Sequence, residues 1–458
     1  MKRVLVAATA LAVMVPASAQ EAAMPANGQI SQILADRIDR DQANVGIAVA
    51  VIEGGETRFV SHGTLGKDDP APVNEFTPFE AGSITKVMTS LVLAQLALEG
   101  RIDLAAPIAD YLPQATVVPD ADGVPVTGFD LATHMSGLSG LPDDITARGL
   151  ANPYSGYSAE QLLDWLGEQQ LDGPIGTRFQ YSNVGVAILG QAIEHITGKS
   201  YAQVLEEQVF QPLDMEQSSL SLSPNKPEGM AIGHDAAGNA VDYWDFDAFA
   251  PAGALITTAS DLAKFVAAAS GSTDTELRPA FDKMLERTRP VDETGSIGLG
   301  WFVTPTGSGE IVWHNGITNG FRSFAGFERN SGNGVVVLSN MSTQTGIEDI
   351  GMHLLDPSLP LLEQPEPRTA IELDPAILES YAGDYVLAPG MVLSVTAENG
   401  KLFAQLTGQE RFELFAESET EFFYRVVDAQ VSFVLEAGKA VSLVLHQNGQ
   451  DMPAMRAE

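Results

Sequence analysis

The sequence predicts an α+β domain, an antiparallel sheet with flanking helices and an inserted all-helical lobe, followed by a small all-β domain. Three observations predict it. Runs with strand character stand near both ends of the first 355 residues, with helical patterns between them. One segment, Val87 to Leu98, is apolar on nearly every face. A Pro-rich stretch then separates these from a tail of short alternating runs.

In chain order, Met1-Lys2-Arg3 is basic, Val4 to Val15 is apolar, and Ala17-Ser18-Ala19 is a small-residue cleavage site before Gln20. This is the pattern of a signal peptide over residues 1–19, so the expected location is periplasmic or secreted. With no cysteine there is no lipobox. Ile30 to Ile38 reads as a helix, Val45 to Ile52 as a strand, Glu53-Gly54-Gly55-Glu56 as a turn and Thr57 to Ser61 as the returning strand. A loop punctuated by Pro70, Pro72 and Pro78 leads to Ser83. At about 12 residues, Val87 to Leu98 is too short to cross a bilayer and reads as a buried central helix. Ser83 would be its N-cap or first-turn residue, and Gly100 the left-handed residue beyond its end.

Asp103 to Asp110, Ser158 to Glu168, Val184 to Ile196 and Tyr201 to Phe210 are the helix candidates of the lobe. Strand character returns at Leu299 to Thr304, Glu310 to His314, Phe321 to Glu328 and Val335 to Ser339. Early and late strands imply one sheet closed by both ends of a domain over residues 20–357, with the functional site where lobe and sheet meet. Residues 358–372 read as a stiff Pro-rich linker and 373–458 as a barrel, from runs at Val392 to Thr396, Leu402 to Leu406, Phe412 to Phe415, Phe422 to Val427, Val431 to Leu435 and Val441 to His446.

The formal charge of −35, with 60 acidic residues, excludes nucleic acid and anionic lipid as partners by repulsion. Removal of Lys2 and Arg3 with the signal peptide leaves 60 acidic against 23 basic residues, a charge of −37 and no transmembrane segment in the mature chain. The acidic residues read as a solvated surface, and pairs such as Asp143-Asp144 suggest no metal. No cofactor is expected. The absence of cysteine removes disulfides, thiol nucleophiles and Cys-ligated metals.

The chemistry is concentrated at Gly82-Ser83-Ile84-Thr85-Lys86. Residues three apart share a helix face, so Lys86 stands within reach of the Ser83 hydroxyl proton, and a lysine buried beside an apolar helix loses its charge readily and can act as a base. Ser-x-x-Lys arises about once by chance in a chain of this length, and does so at Ser223-Pro224-Asn225-Lys226. Partners therefore decide. Tyr181-Ser182-Asn183 is the only Tyr-x-Asn: a nearby lysine ammonium would favour the Tyr181 phenolate as proton relay, and the Asn183 amide suits both a substrate amide and Lys86. His314-Asn315-Gly316 is the only His-x-Gly, at a strand end. There Gly316 would let substrate approach, Ile317 N–H would join that of Ser83 at an oxyanion, and His314 would hold a substrate carboxylate or aid the relay. His134, within Thr133-His134-Met135-Ser136-Gly137, reads as a structural loop group, and Arg322 as a surface residue rather than a carboxylate ligand.

In their order these motifs resemble the serine beta-lactamase and penicillin-binding superfamily, in its class C-like branch, over roughly residues 30–355. Pro251-Ala252-Gly253-Ala254-Leu255 and Gly298-Leu299-Gly300-Trp301 are similar to its framework segments. The resemblance implies a beta-lactamase-like fold and Ser83 as acylated nucleophile, Lys86 as activating base, Tyr181 as proton relay and Asn183 as substrate ligand. His314 stands where class C lactamases carry lysine, which is similar to the D,D-carboxypeptidases and D-aminopeptidases of the branch; a carboxylesterase or a beta-lactamase of the same fold remains an alternative, as does a non-catalytic penicillin- or peptide-binding sensor. The expected partner is a small molecule or short peptide. The C-terminal domain resembles a lipocalin-like appendage, with assembly of a homo-oligomer or restricted access to the cleft as its implied role.

Overall fold

A computed structural model describes residues 24–146, 152–171, 173–220, 227–307, 309–343, 345–364, 370–388, 391–407, 411–424, 429–436, 438–447 and 450–457. The expected signal peptide and the second Ser-x-x-Lys, at Ser223, lie outside them.

Helix α1 (Asn27–Ala35) leads into strands β1 (Gly46–Glu53), β2 (Glu56–Gly66) and β3 (Asp69–Pro72). After the short β4 (Phe79–Gly82) comes helix α2 (Thr85–Leu98). The lobe follows: a hairpin of β5 (Asp120–Ala121) and β6 (Val124–Pro125), then α3 (Gly128–Ala132), α4 (Asp143–Thr146), α5 (Ala159–Gly167), α6 (Asn183–Thr197) and α7 (Tyr201–Leu205). The chain returns through α8 (Ala250–Gly253), β7 (Leu255–Thr257), α9 (Ala259–Ser270) and α10 (Arg278–Glu286) to β8 (Arg289–Pro290), β9 (Ser296–Ile297), β10 (Phe302–Pro305), β11 (Glu310–Ile317), β12 (Arg322–Glu328) and β13 (Gly334–Ser339), and closes with α11 (Glu348–Leu355).

The main sheet runs β3-β2-β1-β13-β12-β11-β10-β9-β8, antiparallel throughout. As expected, the two ends of the domain meet inside it: Val49 of β1 pairs with Val337 of β13. β1 is buried on both faces because its side chains alternate between two cores. Ala48, Ala50 and Ile52 join the core built round α2 and α9, whereas Ile47, Val49 and Val51 join a smaller one with Ile30, Leu34, Ile350 and Leu354 of α1 and α11.

Several local expectations fail for identifiable reasons. Asp103 to Asp110 is no helix: the Asp103 carboxylate accepts from Ala105 N at 2.9 Å, Pro107 interrupts the segment, and only a 3₁₀ turn at Ile108–Tyr111 forms. Ser83 does not cap α2. The cap position is Ile84, without a side-chain cap, and Thr85 Oγ1 instead donates to Gly82 O at 2.6 Å. β4, expected as loop, pairs with β7 and carries the serine turn. β11 continues past His314 to Ile317, so the His-x-Gly triplet lies within a strand. Gly100 does follow α2 with φ +69°.

The C-terminal region is a closed eight-stranded barrel, β14–β21 in sequence order, from Gly383–Ala388 to Gln450–Arg456. Helix α12 (Pro375–Tyr381) packs into it, placing Tyr381 against Phe433 and Phe422. Its first and last strands were not expected from the pattern. The run expected over Phe422 to Val427 is a strand only at Glu421–Phe423, with residues 425–428 outside the description. Among the described residues no helix is long and apolar enough to cross a membrane.

Candidate active site

Four segments converge on the turn before α2. Gly82 has φ +52°, and a Cβ there would stand 2.9 Å from both N and O of Ile317. Gly316 is crowded in the same way: a Cβ would stand 2.0 Å from Ala81 O, a carbonyl to which Ser323 Oγ donates at 2.7 Å. The glycine of the third motif thus makes room for β4. The main chain at Ile317 is brought against the serine turn, as a cradle of the Ser83 and Ile317 N–H groups requires.

Lys86 is 1% exposed, with Nζ 2.8 Å from Ser83 Oγ and 2.6 Å from Ala252 O. Burial holds its pKa well below the ordinary lysine range. In the neutral amine one N–H donates to Ala252 O while the lone pair accepts the Ser83 hydroxyl, the arrangement of a base facing its nucleophile. Nζ also lies 5.0 Å from the centre of the Tyr181 ring. Tyr181 departs from expectation. Burial pushes its phenol up, against the opposing pull of a hydrogen bond with Ser83, so it rests as a neutral O–H and not as a phenolate. It can donate a proton, and it can accept one only in a concerted step.

Asn183 begins α6, and its Nδ2 donates to Tyr154 Oη at 3.0 Å, while Oδ1 is buried without a partner. The expected bond to Lys86 is replaced by Ala252 O, a main-chain acceptor that side-chain motifs do not reveal. Tyr154 was not singled out either; it stacks on Phe246 with centroids 5.0 Å apart and forms the wall behind Asn183.

His134 was read as a loop group, yet it is a buried member of the site. Its φ is +55°, and its ring lies 4.5 Å from that of Tyr181. Ser182 N–H donates to Nδ1 at 3.2 Å; a backbone N–H can only donate, so the ring proton sits on Nε2. His314 is the opposite tautomer. Its Nδ1 stands 2.5 Å from Asn315 O, which can only accept, so Nε2 is the bare lone pair. Both Nε2 atoms are buried and without hydrogen-bond partners. Burial, and then the nearby Lys86, hold His314 down to about 3, so it is neutral and cannot attract a carboxylate as a cation. Arg322 is not a surface residue. Only 13% of its side chain is exposed, and it pairs at 3.6 Å with Glu348, which also accepts Asn315 Nδ2 at 2.6 Å. Among the described residues no group of three or more His, Asp and Glu side chains is placed to hold a metal ion.

The model of the beta-lactamase family matches residues 30–351, and that of a domain of unknown function, DUF3471, matches residues 367–456. Penicillin-binding protein 4* of Bacillus subtilis (strain 168) is 27% identical over 439 residues, 90% of this chain and 94% of its own length. The D-alanyl-D-alanine-carboxypeptidase/endopeptidase AmpH of Escherichia coli (strain K12) is 30% identical over 209 residues, 44% of this chain and 52% of its own. Among solved structures, an octameric penicillin-binding protein homologue from Pyrococcus abyssi is similar with a TM-score of 0.65 at 21% identity, covering 93% of this chain and 99% of the other. A beta-lactamase/D-alanine carboxypeptidase from Pseudomonas syringae has a TM-score of 0.62 at 20% identity, covering 72% and 98%. These two likenesses concern the fold alone.

Proposed function

The chain belongs to the beta-lactamase family, and on that footing we propose that it is an exported serine hydrolase that opens amide bonds of D-amino-acid-containing peptides, of D,D-carboxypeptidase or D-aminopeptidase type, through an acyl-enzyme at Ser83. The observation that carries the reading is the 2.8 Å pairing of Ser83 Oγ with a buried Lys86 whose other partner is a main-chain carbonyl. Relatives named penicillin-binding protein and D-alanyl-D-alanine-carboxypeptidase/endopeptidase support the peptide class. The pattern of residues 1–19 supports export.

In this mechanism Lys86 takes the Ser83 proton as Oγ bonds to the carbonyl carbon. The N–H groups of Ser83 and Ile317 receive the oxyanion, and Asn183 holds the acyl amide. Collapse breaks the C–N bond, the leaving nitrogen takes the Tyr181 phenol proton, and the Lys86 ammonium returns one to Tyr181. Water then repeats the sequence on the acyl ester. An uncharged p-nitrophenyl phosphonate should label the wild-type chain and not Ser83→Ala; an unlabelled wild type would sink the reading, and labelling of a chain that turns over no D-alanyl amide, peptide or p-nitrophenyl ester over hours would make the protein a sensor.

A homo-oligomer formed through residues 373–458 belongs to the same proposal. It is supported by an outward row across adjacent barrel strands, Val434, Ser442, Met455 and Val386 in successive register, in which the three apolar members are 47%, 66% and 41% exposed. Sedimentation should show Met455→Glu shifting the chain to a smaller species.

A further inference from the structure

The side of the site that meets the leaving group is identified by its proton donor. In the proposed acyl-enzyme mechanism the leaving atom takes its proton from Tyr181, so the leaving group stands beside Tyr181. It therefore also stands beside His314, whose ring centre is 6.3 Å from that of Tyr181. Phe302 of β10 closes on His314 from the neighbouring strand, ring centres 5.2 Å apart, and Phe179 follows at 6.0 Å from Phe302. This wall carries no charge. Among the described residues the one charged side chain acting on His314 is Lys86, itself held toward the neutral amine by burial.

The cation nearest along β12 is turned away. Side chains alternate along a strand, so His314 and Asn315 face opposite sides of the sheet. Asn315 and Arg322 both reach Glu348 of α11, which places the Arg322 guanidinium on the side opposite His314. Arg178, three residues before Tyr181, is exposed and donates to Gln180 Oε1 at 2.9 Å. What the wall does present is His314 Nε2, a buried lone pair whose tautomer the Asn315 carbonyl fixes. A lone pair accepts an N–H or O–H. Against a carboxylate it sets lone pair against lone pair, inside an apolar wall that also strips the anion of water.

We propose that the Ser83 site is specific for acyl donors whose leaving group is uncharged and offers an N–H or O–H donor to His314, such as a terminal carboxamide, and that it discriminates against leaving groups ending in a free carboxylate. This rests on the acyl-enzyme reading and narrows it: of the peptidase types named above, the release of a carboxylate-bearing residue is the disfavoured one. Phe302 sets the preference, because its uncharged ring is the one that packs on His314 from the neighbouring strand, centres 5.2 Å apart. The step balances as before: the Ser83 Oγ–C bond forms, the C–N bond breaks, and the amine departs with the Tyr181 proton.

The test compares N-acetyl-D-alanyl-D-alaninamide with N-acetyl-D-alanyl-D-alanine, substrates that share an acyl group and differ only in the charge of what leaves. For the full chain, kcat/KM should be about tenfold to a hundredfold higher for the amide, mostly through KM. Phe302→Arg should shrink or invert that ratio, whereas Phe302→Leu should keep it. Protection of Ser83 against an uncharged p-nitrophenyl phosphonate by each peptide reads the same preference where turnover is slow. Equal or better use of the free acid, or equal protection by both, overturns the specificity. Failure of the phosphonate to modify Ser83 at all overturns the underlying hydrolase reading instead.

Discussion

A Cβ built on Gly190 of α6 would lie 2.0 Å from Pro251 Cγ of α8. That contact backs the carbonyls that hold Thr89 and Lys86. Pro251 O accepts from Thr89 Oγ1 at 2.7 Å, and the next carbonyl, Ala252 O, holds Lys86 Nζ at 2.6 Å. Gly190→Ala must push α8 away from α6 and carry Ala252 O with it. The expected cost is about 1–3 kcal/mol in thermal unfolding and on the order of a hundredfold in Ser83 labelling rate. A variant that labels at the wild-type rate would show that Ala252 O does not position Lys86.

Lys86→Ala removes the amine that stands 2.8 Å from Ser83 Oγ and should slow acylation by about 10²–10⁴. Because the folded pKa of Lys86 is lowered by burial, wild-type acylation should rise with pH to a plateau that is reached well below the usual lysine range. Stopped-flow labelling across pH checks this. Tyr181→Phe should hurt amides far more than p-nitrophenyl esters, since a nitrophenolate leaves without the proton that an amine needs.

Glu80 is 3% exposed on β4, three residues before Ser83. Oε1 accepts from Trp244 N at 2.9 Å, whereas Oε2 and the nearby Thr318 Oγ1 are both buried without a formed bond. Burial pushes its carboxyl up to about 7, opposed by the Thr318 hydroxyl and the Trp244 N–H, with Asp245 adding to the rise. Between the unfolded value of 4.5 and about 7 the folded state binds the extra proton. Stability is therefore full below the lower value and falls as pH rises through the upper one, by on the order of 3 kcal/mol. Denaturant unfolding at pH 4.5, 6 and 8 should show the decline, and Glu80→Gln should flatten it.

Glu348→Ala leaves the Arg322 guanidinium, 13% exposed, without its carboxylate and releases Asn315 from its 2.6 Å bond. A loss of about 3–5 kcal/mol is expected. The double change Glu348→Leu with Arg322→Met should recover most of it, and calorimetry of the three chains decides.

What could be read from the sequence depended on whether one segment specified its own chemistry. Val87 to Leu98 predicts its burial because it has no polar face, and Ser83 and Lys86 are tied by helix geometry alone. The adjacency of β1 and β13 follows from strands recurring at both ends of a domain. His134 was missed because its role comes from a left-handed backbone, φ +55°, that turns the ring onto Tyr181; nothing in the spelling Thr-His-Met-Ser-Gly encodes that direction. The charge of Tyr181 was misjudged for a related reason. Spacing predicts that a lysine is near, but the depth of burial, which raises the phenol and lowers the amine, is a property of the whole lobe. The last barrel strand, Gln450–Arg456, escaped notice because Pro453 has no N–H for a ladder and the apolar Met455, 66% exposed, departs from the alternation, and barrel closure imposes the strand on it.

The pairing of β1 with β13 sets a schedule. Ile47 meets Ser339 across nearly the whole length of the domain, and β11, which brings Ile317 to the serine turn, is ordered by the same sheet. Contacts so remote in sequence form late. A chain emerging from its N-terminus therefore presents Ser83 and Lys86 long before the segment that completes their cradle, and it stays unreactive until the last strands have been delivered. The order of synthesis itself thus acts as a safety catch.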